Sequence, residues 1–268
     1  MLGSPIAHSL SPALHGAAYR ALGLTDWAYE AIECDEAGLP GLLGSLDSGW
    51  AGLSLTMPLK RAVLPLLDRA DPLVADVGGA NTVVFDVAGR SGYNTDVPGM
   101  ITALAQAGIT AATALVLGAG ATACAALAAL HGIGVPAVTV AVRNPATAGP
   151  LLGVADRLGL KVELVRFATE PAQPHWDLVI STVPAGAADV YAERIGARTL
   201  VPGAVLDVIY HPWPTGLVRA ATGSGAVVVG GFELLLHQAA RQVELMTGCD
   251  APVAAMREAG LAALARRS

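Results

Sequence analysis

Lys60 and Asp96 are the residue types that reduction of a ketone by hydride requires. A positioned ammonium can hand a proton to the nascent alkoxide, and a carboxylate can orient that ammonium and balance its charge. They close two polar islands, TMPLK at 56–60 and YNTD at 93–96; two further islands are GSPIAHSLSP at 3–12 and GANTV at 79–83. Together the islands hold Ser9, Ser11, Thr56, Asn81 and Asn94 beside the pair, groups suited to a carboxylate and several hydroxyls. Each also has a plainer reading. Lys60 fits a solvated lysine in the first turn after Pro58, and Asp96 a cap for a helix beginning near Pro98. Ser11 followed by Pro12 reads as a helix N-cap, which still suits a carboxylate site because a helix N-terminus offers free N–H groups. Asn81 and Asn94 follow glycines, as turn residues do. Gln238 follows an apolar LLL run, where an amide would need partners. Nothing in the spacing of His8, His211 and His237 marks them as bases.

A fifth island, GAGATA at 118–123, is a turn of the kind that receives a dinucleotide pyrophosphate. Gly118 permits the tight turn after an apolar strand at 113–117, and Gly120 lets the backbone approach a phosphate. Ala123 is small enough for the following helix, about 121–131, to pack closely. The loop Gly118, Ala119, Gly120, Ala121 and Thr122 then opens onto a helix N-terminus. The next strand ends at Arg143-Asn144, where an NAD site would usually carry an acidic residue for the ribose. A guanidinium there suits the 2′-phosphate of NADP.

The elements that must hold these groups follow from apolar runs. Strands are expected at 53–56, 113–117, 137–142, 161–166, 178–182, 204–207 and 226–229. Helices lie between them, one of them running from Pro58 through Leu67, and residues 233–265 read as helices. Such alternation is the signature of an α/β fold with a parallel sheet covered on both faces. The 268 residues suffice for two domains. We expect residues 1–96 plus 231–268 as a substrate domain and 97–230 as a Rossmann-like domain, with the helical tail folding back on the first and a cleft between the two.

Composition narrows the function classes. A net charge of −6 without a basic stripe argues against nucleic acid. Three separated cysteines and six unpaired histidines suggest a reducing compartment and no metal. Residues 97–142 lack Asp, Glu, Lys and Arg, but Pro98, Pro136 and glycines interrupt them, and a span needs about 20 strongly apolar residues in succession. With no signal peptide in MLGSPIAHS, the expected location is the cytoplasm.

The ordered islands, joined by STVPAG at 181–186, DVIYHPWPT at 207–215 and GGFELLLHQA at 230–239, resemble the shikimate dehydrogenase family over essentially the whole chain. The resemblance implies reduction of 3-dehydroshikimate to shikimate with NADPH in aromatic amino acid biosynthesis. It implies that Ser9 and Ser11, assisted by Thr56 and Tyr210, bind the substrate carboxylate. Lys60, Asn81, Asp96 and Gln238 would hold the ring hydroxyls, with Lys60 and Asp96 catalytic; the glycine turn, Arg143 and Asn144 would take NADP, and Gly231 would lie near the nicotinamide. Departures from the family pattern are Ser54 for Asn, Ala121 for Gly, Leu234 for Met, and Thr147 where a second basic residue often stands, so NAD is an alternative cofactor. The first strand is short, which suggests a start upstream of Met1 or a weakly held sheet edge. Alternatives are a catabolic NAD-dependent quinate or shikimate dehydrogenase and a non-catalytic nucleotide sensor. The oligomeric expectation is a monomer or homodimer.

Overall fold

The computed structural model describes residues 1–169 and 173–267. The chain forms two compact units, Met1–Gly99 with Leu235–Ser268, and Met100–Leu234.

The first unit opens with β1 (Leu2–Gly3), α1 (Ser11–Ala21), β2 (Ile32–Glu33), α2 (Leu39–Ser45), β3 (Gly52–Ser54), α3 (Leu59–Ala62), β4 (Arg69–Ala70), α4 (Pro72–Val77), β5 (Thr82–Asp86) and β6 (Gly89–Tyr93), followed by α5 (Asp96–Gln106). Four strands form a sheet in the order β3-β5-β6-β4. β3 and β6 run antiparallel to β5, and β4 runs parallel to β6. β1 pairs with β2, and Leu2 bridges Leu55. Leu2, Leu39, Leu53, Leu55, Leu59 and Val83 build the core beneath.

Two local readings change. The helix after Pro58 stops at Ala62, and a 3-10 turn, Leu64–Leu66, replaces its continuation. Pro65 has no N–H to extend the helical ladder. Ser11 is the first helical residue of α1, because Leu10 in the cap position already takes helical dihedrals, and no side chain caps the helix.

The second unit contains β7 (Ala114–Leu117), α6 (Ala121–Gly132), β8 (Ala137–Val142), α7 (Gly149–Leu158), β9 (Lys161–Arg166), β10 (His175–Ser181), α8 (Asp189–Gly196), β11 (Val201–Asp207), α9 (Gly216–Ser224) and β12 (Val227–Gly230). Its six strands are all parallel, in the order β12-β11-β10-β7-β8-β9. The strand order reverses between β7 and β10, which is the doubly wound arrangement with its ligand crevice at the carboxyl ends of those strands. All four residues of β7 are buried, as expected for a strand covered on both faces.

The chain ends in α10 (Gly231–Thr247) and α11 (Val253–Ala265). α10 passes into the first unit at Leu235, and α11 packs on α1. No helix of the described residues is long and apolar enough to cross a membrane.

Gly231, at the start of α10, is fixed by space. A Cβ there would lie 2.1 Å from Val208 O and 2.8 Å from Ile209 C, both backbone atoms. Gly231→Ala is expected to destabilise the fold by about 1–3 kcal/mol, the usual cost of overpacking. A melting temperature equal to the parent's would show that this backbone gives way freely.

Candidate active site

The antiparallel register of β5 and β6 pairs Thr82 with Tyr93, so the residues just outside both strands, Asn81 and 94–96, meet at one sheet end. Asn94 shapes the start of α5. Its Oδ1 accepts from the N–H groups of Asp96 (3.1 Å) and Val97 (3.4 Å), and its Nδ2 donates to Gly79 O at 2.8 Å. The helix start is thus satisfied by Asn94, and the Asp96 carboxylate is released from capping.

That carboxylate turns to Lys60, whose Nζ donates to Oδ2 at 2.5 Å. The side chains are 15% and 9% exposed. Asn81 Nδ2 donates to the other oxygen, Oδ1, at 2.9 Å, and also lies 3.0 Å from Thr95 Oγ1 and 3.3 Å from Gln238 Oε1. Asn81 Oδ1 accepts from Thr95 N at 2.8 Å and Thr82 Oγ1 at 2.9 Å. Gln238, on the α10 turn that enters the first unit, is buried and donates through Nε2 to Leu235 O at 2.9 Å. Lys60, Asn81, Asp96 and Gln238 therefore form one hydrogen-bonded group inside the first unit. An ammonium beside a carboxylate, flanked by the amides of Asn81 and Gln238, can exchange protons with a hydroxyl or carbonyl.

Beneath this group lies a polar layer that the sequence reading missed. Gln242 is 1% exposed; its Oε1 accepts from Ser54 Oγ at 2.9 Å, and its Nε2 donates to Thr82 Oγ1 at 3.0 Å and Asn81 O at 3.3 Å. Tyr29 donates to Ser54 at 2.7 Å. His15 Nε2 lies 3.3 Å from Gln242 Oε1, and its ring stacks on Tyr29 with centroids 4.0 Å apart. Burial pushes the His15 imidazole down to about 3, so it is neutral at ordinary pH. The available signal was the spacing of Gln242 four residues after Gln238, which puts both on one helix face.

The serines belong to the loop between β1 and α1. Ser9 Oγ accepts from Ser11 N at 3.2 Å and contacts Met1 Sδ at 2.9 Å. Ser11 Oγ is buried near the Tyr29 hydroxyl but makes no hydrogen bond of good geometry to it or to any other described group. The guanidinium of Arg267, just past α11, donates to the carbonyls of His8 (2.6 Å) and Ser9 (3.0 Å). Thr56 N donates to Leu2 O at 2.9 Å, and a Cβ at Gly3 would lie 2.2 Å from Thr56 Cγ2, so glycine lets this loop lie against Thr56.

In the second unit, Gly118 has φ +109°, and a Cβ there would meet Thr182 Oγ1 at 2.6 Å. Gly120 is the N-cap of α6, with no side-chain cap and open space where a Cβ would stand. Ala119, Ala121 and Thr122 complete a loop whose free helix N–H groups suit a pyrophosphate. Arg143 is exposed at the exit of β8, and Asn144 Oδ1 accepts from Ala146 N at 3.1 Å to hold the next turn. These residues fit a dinucleotide phosphate at the loop and a 2′-phosphate at Arg143. Tyr210 is half-buried after β11. Asp207, buried at that strand's end, accepts from Thr215 Oγ1 at 2.7 Å and Ile209 N at 3.2 Å, which braces the segment carrying Tyr210. Among the described residues, no cluster of His, Cys, Asp and Glu is arranged to hold a metal.

A doubly wound sheet with a glycine turn after its first strand in the second unit, and a lysine–aspartate pair in the first, define a dinucleotide-dependent oxidoreductase. The comparisons narrow the class. Residues 1–83 match the family described as shikimate dehydrogenase substrate binding domain, and residues 231–259 match the shikimate 5′-dehydrogenase C-terminal domain. The chain is 38% identical to the shikimate dehydrogenase (NADP(+)) of Thermus thermophilus, covering 98% of this chain and 97% of that one. The Mycobacterium tuberculosis shikimate dehydrogenase structure superposes with a TM-score of 0.86 at 44% identity, covering 100% and 98% of the two chains. A Thermus thermophilus structure in complex with NADP(H) and shikimate gives 0.83 at 34% identity, covering 98% and 97%. The chain belongs to the shikimate dehydrogenase family.

Neutral His15 makes the fold acid-sensitive. The unfolded chain binds a proton at this residue near pH 6.5 while the native state does not until about pH 3. Stability is therefore fully present above pH 6.5 and falls as pH drops, by up to about 1.4 kcal/mol per pH unit for this group. Urea unfolding of the parent and of His15→Gln at pH 7 and pH 5 is expected to show a smaller acid loss in the variant; equal losses would remove His15 as a cause.

Proposed function

We propose that the chain catalyses the reversible reduction of 3-dehydroshikimate to shikimate with NADPH in aromatic amino acid biosynthesis. The observation that carries the reading is the 2.5 Å contact between Lys60 and Asp96, largely withdrawn from water, in a member of this family. The nicotinamide cofactor, when bound, supplies the hydride. Lys60 gives its Nζ proton to the oxygen of the ketone as that oxygen gains negative charge. In the oxidation direction the same nitrogen, having lost its proton, accepts one from the hydroxyl. Asp96 receives the lysine's hydrogen bond and fixes the direction of its head group.

Asn81 and Gln238, together with Lys60 and Asp96, are assigned to the ring hydroxyls. Ser9, Ser11, Thr56 and Tyr210 are assigned to the substrate carboxylate. The buried hydroxyl of Ser11, which makes no hydrogen bond of good geometry, supports this assignment, since a carboxylate oxygen would accept its proton. Arg143 is assigned to the 2′-phosphate of NADP. Thr147, which stands where a second basic residue is common, donates instead to Asn144 O at 2.9 Å, so Arg143 carries the discrimination against NAD alone.

Lys60→Ala is expected to lower turnover by at least about a hundredfold, the scale of a lost general acid, while NADP affinity holds. Near-normal turnover in that variant contradicts the assignment. Arg143→Ala is expected to raise the NADP dissociation constant and leave NAD nearly unaffected. Equal weakening of both cofactors would give Arg143 a structural role.

A further inference from the structure

The hydrogen bonds behind the Lys60 pair run in one direction, and their order follows from chemistry. The Asp96 carboxylate can only accept, so the Asn81 amide atom 2.9 Å from it is the nitrogen. Oδ1 of that amide then faces Thr82 Oγ1, which commits its one proton to it at 2.9 Å. Thr82 Oγ1 must in turn accept, and the donor is Gln242 Nε2 at 3.0 Å. With its nitrogen so placed, Gln242 Oε1 accepts from Ser54, whose hydroxyl accepts from Tyr29. Every hydroxyl proton in this chain points toward the pair.

We propose that Thr82 and Gln242 are positioning residues for the reaction: they lock the Asn81 amide with its nitrogen toward Asp96 and so hold that carboxylate in register with Lys60. Neither residue belongs to the group assigned to substrate. Thr82 is 0% and Gln242 1% exposed, and their polar side-chain atoms bond to protein groups deep in the first unit. Thr95 also bonds to Asn81 Oδ1, through N at 2.8 Å, but it directly precedes Asp96 at the start of α5 and shifts with it. Thr82 and Gln242 tie Asn81 to two other elements, β5 and α10, and a buried amide held from three sides cannot rotate without leaving a donor or acceptor unpaired. Gln242 additionally donates to Asn81 O, fixing backbone and side chain of the same residue.

The inference rests on Lys60 and Asp96 as the reacting pair. Its test is steady-state kinetics of the whole chain with shikimate and NADP, for the parent, Thr82→Val, Thr82→Ser and Gln242→Met, each checked for a cooperative melting transition. Thr82→Val keeps the side-chain volume and removes the hydroxyl; Thr82→Ser restores it. The expected result is a fall in kcat of about ten- to hundredfold in Thr82→Val and Gln242→Met, the loss that a displacement of up to an ångström at a reacting group produces. The KM for NADP stays at the parent value, and Thr82→Ser recovers most of kcat. Lowered melting temperature with unchanged kcat in folded Thr82→Val would overturn the proposal and leave the layer a purely structural one. If Gln242→Met does not fold, the Thr82 pair decides. An inactive parent would instead refute the functional reading on which the inference stands.

Discussion

The burial of the Asp96 carboxylate is the constraint on which the rest of the site depends. A charge withdrawn from water costs several kcal/mol unless both its oxygens are satisfied, and removing one partner is more costly than never having built the pair. Here Oδ2 takes the Lys60 ammonium and Oδ1 the Asn81 amide, while Asn94 relieves the carboxylate of capping α5. Each of those partners then needs partners of its own. That requirement draws Thr82, Thr95, Gln238 and Gln242 inward and leads to Ser54, Tyr29 and His15 at the far side of the layer. The Lys60–Asp96 pair is thereby tied to several separate segments of the first unit.

The second unit meets a different demand with different chemistry. Its parallel strands are buried on both faces, so their apolar residues, such as Leu115, Leu117, Val179 and Val205, serve packing alone. Gly118, Arg143 and Asp207 stand at the carboxyl ends of strands. Gly118 and Gly231 are glycines because neighbouring side-chain or backbone atoms fill the space of a Cβ. Asp207 keeps its carboxyl buried beside Thr215, and burial raises its affinity for a proton.

The strands were legible where apolar runs are continuous. β8 and β9 occupy the expected 137–142 and 161–166. β10 and β11 begin three residues earlier than expected, since His175, Asp177, Pro202 and Gly203 hide the start of each run. Asp177 sits in a strand because its carboxylate accepts from the N–H groups of Ala112 and Thr113. The residues of the hydrogen-bonded group around Lys60 and Asp96 were legible as residue types in short islands. Their junction was not, because it depends on the β5–β6 register and on the entry of α10 into the first unit. Ser11 was read as a helix cap from the SLSP pattern, which cannot show that Leu10 already turns helically. Gln242 and His15 carry no motif and are marked only by their burial, and Ser54 stood out only as a departure from the family pattern.

The most direct measurement is steady-state oxidation by the purified chain, followed through nicotinamide absorbance, with shikimate and quinate each paired with NADP and NAD. Rapid turnover confined to shikimate with NADP is the predicted result. Preference for quinate with NAD, or no turnover in any of the four combinations, would contradict the account.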